Sequence, residues 1–397
     1  MKGRDFLLKN GDLVLPDGIL HGGTIAISGN RIVSIGPADD LKQAPEAGSL
    51  EVDVRGYWVC PALVELHIHG CGGFSFHNPR DDYLSEIARF LSRKGVGVFL
   101  PTVVPQESVL QRLACDIDSL HLGSRVPGIY VEGPFIAGER RGGIPADLIR
   151  SVSPDYLEHL CRITGSRIRM VTLAPEMEGA QGLIERVRSR GIIPALGHSS
   201  ARAEDMADLS GVEPLNVTHL YNAMSGVSHR EPGLAQWALL NGSVFTELNG
   251  DGVHVHPMAL ELAFRLRPLE RIILISDAVV TAGLEADTEE DHYHGSELAV
   301  SRGNGVYYRQ SGVLIGSRLL VKDGVSRVVR EQGIPVHSAV AMASRVPLKL
   351  LGMEGKGALV PGMDADISVF DKGFATCLAQ IYEGRVLYSR LRGLIQE

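Results

Sequence analysis

The sequence predicts an α/β chain: a (β/α)8 barrel with a small β-sandwich domain formed from the N- and C-terminal segments. Three observations carry this. Eight apolar runs alternate with helix-like segments through the middle of the chain. Six stretches end in an imidazole or a carboxylate: LVELHIH (His67, His69), GIYVEG (Glu132), IIPALGH (His198), LNVTH (His219), GDGVH (His254) and ILISD (Asp277). Barrel strands look like this when their C-terminal ends converge on one site. Finally, the two ends of the chain share a turn-rich texture that the middle lacks.

Residues 1–58 alternate apolar and polar positions (LVL, TIAIS, RIVSIG, EVDVRG) between the turn signals NGD, PDG, HGG, SGN and GPADD. These are expected to be short antiparallel strands joined by hairpins. The texture returns in GALVPGMDADISVFD, ATCLAQIYEG and RVLYSR. Neither segment can bury a core alone, so residues 1–58 and 355–397 are assigned to one β-sandwich domain and 59–354 to the barrel. Barrel strands are expected at 63–69, 96–104, 128–133, 168–174, 192–198, 215–219, 244–249 and 272–277. Helices are expected over 81–94, with Leu84, Ile87 and Leu91 on one face before Gly95, and over 180–190, with Leu183, Ile184 and Val187 before Gly191. The same alternation suits a doubly wound sheet, but chemistry at five or more strand ends favours the closed barrel. Segment 284–312, acidic and then turn-rich, reads as an insertion after the last barrel strand.

Of 397 residues, 44% are hydrophobic, enough for a barrel of about 250 residues plus a smaller domain. Lysine and arginine number 39 against 47 acidic residues, a net charge of −8 that leaves no electrostatic footprint for nucleic acid. The five cysteines (Cys60, Cys71, Cys115, Cys161, Cys377) are odd in number, and none form a CxxC pair, which argues against a disulfide framework and a thiolate zinc site. They suit a reducing cytoplasm. MKGRDFLLKNGDLVLPDG meets charge, glycine and proline too early for a signal peptide, and no run approaches the roughly 20 apolar residues of a membrane span. A soluble cytoplasmic enzyme with no membrane partner is expected.

Strand alternation points His67 and His69 to the same side, so both can bind one ion; the alternative is a hydrogen-bonded structural pair. Gly70, Gly72 and Gly73 follow, letting backbone approach a site closely. Gly133 and Pro134 are expected to end the strand bearing Glu132 and leave its carboxylate at the rim. His198 and His219 each close an apolar run; either alone would more often be a buried, satisfied histidine. Together with Glu132 they make a three-ligand site with a position open for water. His67, His69 and Asp277 then form a second group, with Glu132 bridging, so one or two divalent ions are expected. Histidine and carboxylate ligands put zinc first, with iron and manganese as alternatives. An ionised Asp277 closing an apolar run is costly unless a cation or a bound water's proton is near. A helix N-cap is the competing reading. The favoured role is general base and acid: taking a proton from the attacking water and returning it to a leaving nitrogen. His254 is assigned to substrate, because the metal shell is already filled. Arg230, in HREPG, offers a planar fork suited to phosphate oxygens, although a loop arginine is usually only solvated. His256, His292 and His294 fit no functional pattern.

HIHGCGG, EGPF, GHSSA, THLYNAM, HREPGL, DGVHVHP, ISDA and the C-terminal KGALVPGMDADISVFD occur in order through nearly the whole chain. Together they resemble the N-acetylglucosamine-6-phosphate deacetylase family of the amidohydrolase superfamily. The resemblance implies a barrel with a β-sandwich domain, a homodimer, and hydrolysis of the acetamide of a 6-phosphorylated amino sugar to amine and acetate. It places the metal ligands on Glu132, His198 and His219, the catalytic aspartate on Asp277, and phosphate and sugar contacts on Asn222, Ala223, Arg230 and His254. It also implies that Arg230 reaches a neighbouring subunit's pocket. Family members that lack the HxH pair use one metal and polarise the acetyl carbonyl with a histidine. This chain has Gly142-Gly143-Ile144 at that place and keeps His67 and His69, which points to a second metal as the polariser. Asn249-Gly250 and Ser225-Gly226-Val227 also depart from the family pattern, leaving an N-acetylgalactosamine 6-phosphate substrate or another acyl group open. Cyclic-amide hydrolases of the same superfamily bridge two metals with a carboxylated lysine on the fourth strand, and IRMVTLAPE contains none. The other competing reading, a catalytically dead barrel kept for assembly, does not explain the full ligand set.

Overall fold

Eight strands, Leu63–Ile68, Val96–Val103, Ile129–Phe135, Ile168–Leu173, Ile193–Leu196, Asn216–Val217, Phe245–Asn249 and Ile272–Ile275, pair in chain order as one sheet in the computed structural model. The model describes residues 5–37, 49–209, 211–284, 289–292 and 298–394. The ladders from the second strand through the eighth are parallel. Most strand positions are buried, which is why these segments read as continuous apolar runs: a parallel sheet covered on both faces leaves no polar side. The sheet closes between its first and last strands. The Asp277 backbone N–H donates to the His67 carbonyl at 3.0 Å and the His69 N–H donates to the Ala278 carbonyl at 2.8 Å. The architecture is the expected (β/α)8 barrel, with all eight strands within a few residues of their expected positions.

Helices intervene where expected. Tyr83–Ser92 stops before Gly95 (φ +80°), and Ala180–Ser189 stops before Gly191 (φ +70°), both glycines occupying the left-handed conformation that ends a helix. A further helix, Pro154–Ile163, begins at Ser153, whose hydroxyl accepts the Tyr156 N–H at 3.1 Å.

The terminal segments form one mixed sheet of Phe6–Leu15, Gly18–Ser28, Arg31–Gly36, Leu50–Asp53, Trp58–Pro61, Ile367–Phe370, Cys377–Tyr382 and Arg385–Ser389. Leu8, Ile25, Ile27, Val59, Ile367, Val369 and Ile381, all fully buried, share its core. The antiparallel expectation holds for the first three strands and the last three. It fails for Leu50–Asp53 and Trp58–Pro61, which both run parallel to Phe6–Leu15. Residues 37–49 separate Leu50–Asp53 from Arg31–Gly36, so no tight hairpin ties it to the strand before it.

The insertion after the last barrel strand is an antiparallel sheet of Glu289–His292, Leu298–Arg302, Gly305–Tyr308 and Leu314–Ser317. Within the segment expected to be inserted, 285–288 and 293–297 lie outside the described residues. Its core joins Ala299, Val306, Tyr308 and Ile315 to Val279. By internal contacts the chain divides into two compact units, one of Met1–Glu65, Ala88–Val98 and Val321–Glu397, the other of Leu66–Ile87 and Phe99–Leu320. Among the described residues no helix is long and apolar enough to cross a membrane.

Gly95 has both a positive φ and no room for a side chain, since a Cβ there would collide with the ring of Phe370. Gly95→Ala is therefore expected to lower stability by about 2–4 kcal/mol in denaturant unfolding, against less than about 1 kcal/mol for Ala at the open, αR-compatible Gly182.

Candidate metal centre and active site

The chemistry-bearing side chains all lie in the second unit, at or just past the C-terminal ends of barrel strands, and three of their backbones are unusual. His198 (φ +48°), His219 (φ +26°) and Asp277 (φ +54°) adopt positive φ, a conformation that costs a non-glycine residue about 1–3 kcal/mol. Hydrogen bonds hold each one. The Ala137 N–H donates to the His198 carbonyl, the Glu247 carboxylate accepts the His219 N–H, and the Ser317 N–H donates to the Asp277 carbonyl at 2.8 Å. Residues 278–284 continue as a bridge and turns, so Asp277 is not a helix N-cap. The strand bearing Glu132 does not stop at Gly133-Pro134 either. It runs to Phe135, with its register broken between Val131 and Phe135, so Glu132 sits at an irregularity within the strand.

Two groups converge. Glu132 Oε1 lies 3.1 Å from His198 Nε2 and 3.1 Å from His219 Nε2, and the two imidazole nitrogens are 3.1 Å apart. Asp277 Oδ1 lies 3.2 Å from His69 Nε2 and 3.7 Å from His67 Nε2. Glu132 joins the groups, with Oε1 3.6 Å from His67 Nε2 and Oε2 3.4 Å from His69 Nε2. All six residues are buried. Ligands about 2.0–2.1 Å from a tetrahedral ion stand about 3.4 Å from one another, close to the spacing seen here.

Hydrogen bonding decides whether these atoms suit a cation. His198 Nδ1 faces the Arg140 carbonyl at 2.8 Å and must donate to it, so a neutral His198 presents a bare Nε2 to Glu132, which is itself an acceptor. His67 Nδ1 faces the Glu247 carboxylate at 2.9 Å, and its buried Nε2 has no hydrogen-bond partner. Lone pairs pointed at carboxylates in a buried site need positive charge between them. The electrostatics say the same. Burial opposes ionising Glu132, yet the hydrogen bonds of His198 and His219 and the nearby His67 and His69 hold it well below the usual carboxylate range. Burial likewise opposes ionising Asp277, but His254, His67 and His69 hold it low. Burial also opposes protonating His67, but Glu247, Asp277 and Glu132 outweigh it and push its pKa up to about 9. The donor set fits one or two divalent cations.

A cavity of about 350 Å³ opens over both groups. His69, Glu132, His198, His219 and Asp277 line its floor, with Asn222, Ala223 and His254 beside them. His254 does more than line the wall: its Nε2 is 3.3 Å from Asp277 Oδ2 and its Nδ1 is 2.7 Å from Asp251 Oδ2. Burial disfavours the imidazolium, but both carboxylates push its pKa up to about 10. Arg230 is exposed and lies outside the cavity lining formed by the described residues of this chain. Sequence reading missed Glu247, Asp251 and Arg140, and missed that Val313, Leu314 and Ile315 of the insertion form one wall with Val104 and Ile144. Glu247 had a usable signal, a glutamate at an interior position of a barrel strand.

Residues 58–388 match the Amidohydrolase family. The chain belongs to that family. It is 34% identical over 321 residues to the N-acetylgalactosamine-6-phosphate deacetylase of Escherichia coli O157:H7, covering 79% of this chain and 84% of that protein. It is 30% identical over 374 residues to the N-acetylglucosamine-6-phosphate deacetylase of Bacillus subtilis, covering 91% and 92%. Among solved structures, the N-acetyl-D-glucosamine-6-phosphate deacetylase of Mycobacterium smegmatis, in complex with N-acetyl-D-glucosamine-6-phosphate, superposes with a TM-score of 0.87 at 25% identity, covering 98% of this chain and 100% of that one. This amidohydrolase is thus a hydrolytic enzyme with the deacetylase fold, and its two buried groups of His, Glu and Asp offer ligand sets suited to divalent metal.

Stripping the protein with a strong chelator is expected to abolish activity and lower the unfolding temperature, with both restored on adding a divalent metal. His219→Ala is expected to weaken metal binding at least about 10-fold, read by metal titration of the stripped protein. Unchanged stability and activity after complete metal removal would rule out this centre.

Proposed function

We propose that this amidohydrolase hydrolyses the acetamide of N-acetylglucosamine 6-phosphate to glucosamine 6-phosphate and acetate, in the cytoplasm and as a homodimer. The observation that carries the reading is Asp277, ionised and buried between the ligand imidazoles and His254 at the floor of a cavity that also exposes Asn222 and Ala223. Relatives named for this activity support it across most of the chain.

Glu132, His198 and His219 would hold one divalent cation and His67, His69 and Asp277 a second, with zinc the leading candidate for both. When bound there, a cation would supply polarisation of the amide carbonyl and a lowered pKa for the attacking water. Asp277 accepts the proton from that water and delivers it to the departing nitrogen. His254, anchored by Asp251 through Nδ1, orients Asp277 through Nε2 and lines the cavity where the sugar binds. Asn222 and Ala223 contact sugar and phosphate. Arg230, exposed on its own subunit, supplies its guanidinium to the phosphate in the partner's cavity. Ile144 stands where other members place a carbonyl-polarising histidine. It has no proton to give, so that duty falls to the His67 and His69 side of the centre. Residues 59–354 carry this chemistry, and the sandwich of 1–58 and 355–397 carries none of it.

A second reading, the galactosamine epimer, is favoured by the relative of that name at 34% identity. Steady-state deacetylation of N-acetyl glucosamine, galactosamine and mannosamine, each with and without the 6-phosphate, separates the two. The expected outcome is highest kcat/KM on the phosphorylated glucosamine compound. A preference for the phosphorylated galactosamine compound would reassign the epimer, and inactivity on all six would overturn the reaction. Asp277→Asn is expected to lower kcat by about 10³-fold or more with His-bound metal retained. Arg230→Ala is expected to raise KM on phosphorylated substrate only. Substantial turnover by Asp277→Asn would refute its role.

A further inference from the structure

Glu247 lies beneath the centre, on the seventh barrel strand, fully buried and in contact with none of the cavity. Four donors surround its carboxylate. Asn216 Nδ2 reaches Oε1 at 2.7 Å, and Oε2 takes Thr218 Oγ1 at 3.0 Å, the His219 N–H at 3.2 Å and His67 Nδ1 at 2.9 Å. The Thr218 hydroxyl is oriented in turn by Tyr130 at 2.7 Å. A carboxylate so surrounded accepts only, so the proton between it and His67 belongs to Nδ1. Nε2 of His67, which has no hydrogen-bond partner, faces the space between Glu132 and Asp277, and with Nδ1 holding its own proton it is the nitrogen that a cation there would take. The same Oε2 also accepts the His219 backbone N–H, a contact that a glutamine oxygen can make as well.

We propose that Glu247 is a positioning residue that fixes His67 as a cation ligand and thereby sets whether the His67–His69–Asp277 group is occupied. This rests on the reading of that group as a second cation site. Carboxylates behind metal-bound histidines set the tautomer and ring orientation, and their loss costs about 10- to 100-fold in metal affinity. A purely structural Glu247 would satisfy Asn216, Thr218 and the His219 backbone, and its loss would disturb both groups or neither.

The test is titration of chelator-stripped, full-length protein with Co²⁺, followed by calorimetry and visible absorption. Wild type is expected to take up two equivalents. Glu247→Gln should keep one equivalent at unchanged affinity and weaken the other about 10- to 100-fold. His67→Asn should lose the same equivalent, and adding Glu247→Gln to it should cost nothing more, since the two act through one contact. Two-bond ¹H–¹⁵N spectra of the wild-type, metal-loaded protein should show His67 protonated at Nδ1, a reading that needs no variant to fold. One equivalent in wild type, both affinities retained within about twofold in Glu247→Gln, additive losses in the double variant, or an Nε2-protonated His67 would each overturn the proposal. Deacetylation is assayed separately. Activity with a single bound ion would leave the reaction standing and this inference refuted, whereas two ions without any deacetylation would do the reverse.

Discussion

Burying negative charge is the constraint on which this structure turns. Glu132, Glu247, Asp251 and Asp277 lie at one end of the barrel with at most 8% of their surface exposed, and five imidazoles stand among them. Isolated buried carboxylates would be intolerable, so each must be compensated by hydrogen bonds or a cation. Glu247 and Asp251 meet that need with protein donors. Glu132 and Asp277 are met by imidazoles, and since His67 and His198 each turn one N–H elsewhere, they can face these carboxylates only by taking up a second proton or sharing a cation with them. The division between satisfied and unsatisfied carboxylates therefore marks where a metal belongs.

Barrel closure places this arrangement. The last strand returns to the first through hydrogen bonds from Asp277 to the His67 carbonyl and from His69 to the Ala278 carbonyl. The seam of the barrel and the His67–His69–Asp277 group are thus the same residues, although about 200 positions of sequence separate them. The neighbouring ladders set the other group in the same way, bringing Glu132, His198 and His219 together from the third, fifth and sixth strands. Positive φ at His198, His219 and Asp277 turns each side chain inward, and the closed ladder supports that local strain.

The barrel was legible because a doubly covered parallel sheet writes itself as uninterrupted apolar runs, and the six residues that converge at its mouth were legible as candidates because each lies in or just after such a run. The terminal strands were legible as strands but not in direction, since alternation reports burial of one face and is blind to the partner's orientation. What lay hidden depends on long-range packing. The interior strand position of Glu247 can be read from the sequence but its partner His67 cannot, and Asp251 looks like a turn residue until its bond to His254 forms. The insertion was readable as an insertion, but no local pattern announces that Val313, Leu314 and Ile315 fold over the cavity.

That wall explains why the 142–144 loop has its composition. Tyr308 of the insertion donates its hydroxyl to the Gly143 carbonyl at 2.9 Å, and a Cβ on Gly143 would stand 2.8 Å from Ile315 Cγ2. Gly142, with φ +55°, turns the chain there. Ile144 is consequently pressed into an apolar cluster with Val104 and Ile136 while still lining the cavity. A protonated imidazole would be poorly solvated in that setting, because two of its nearest neighbours are aliphatic. Packing of the insertion and the absence of a donor at 144 are therefore consistent with each other. They leave the histidines of the cavity, rather than residue 144, as the place where charge developing on a carbonyl oxygen is best met.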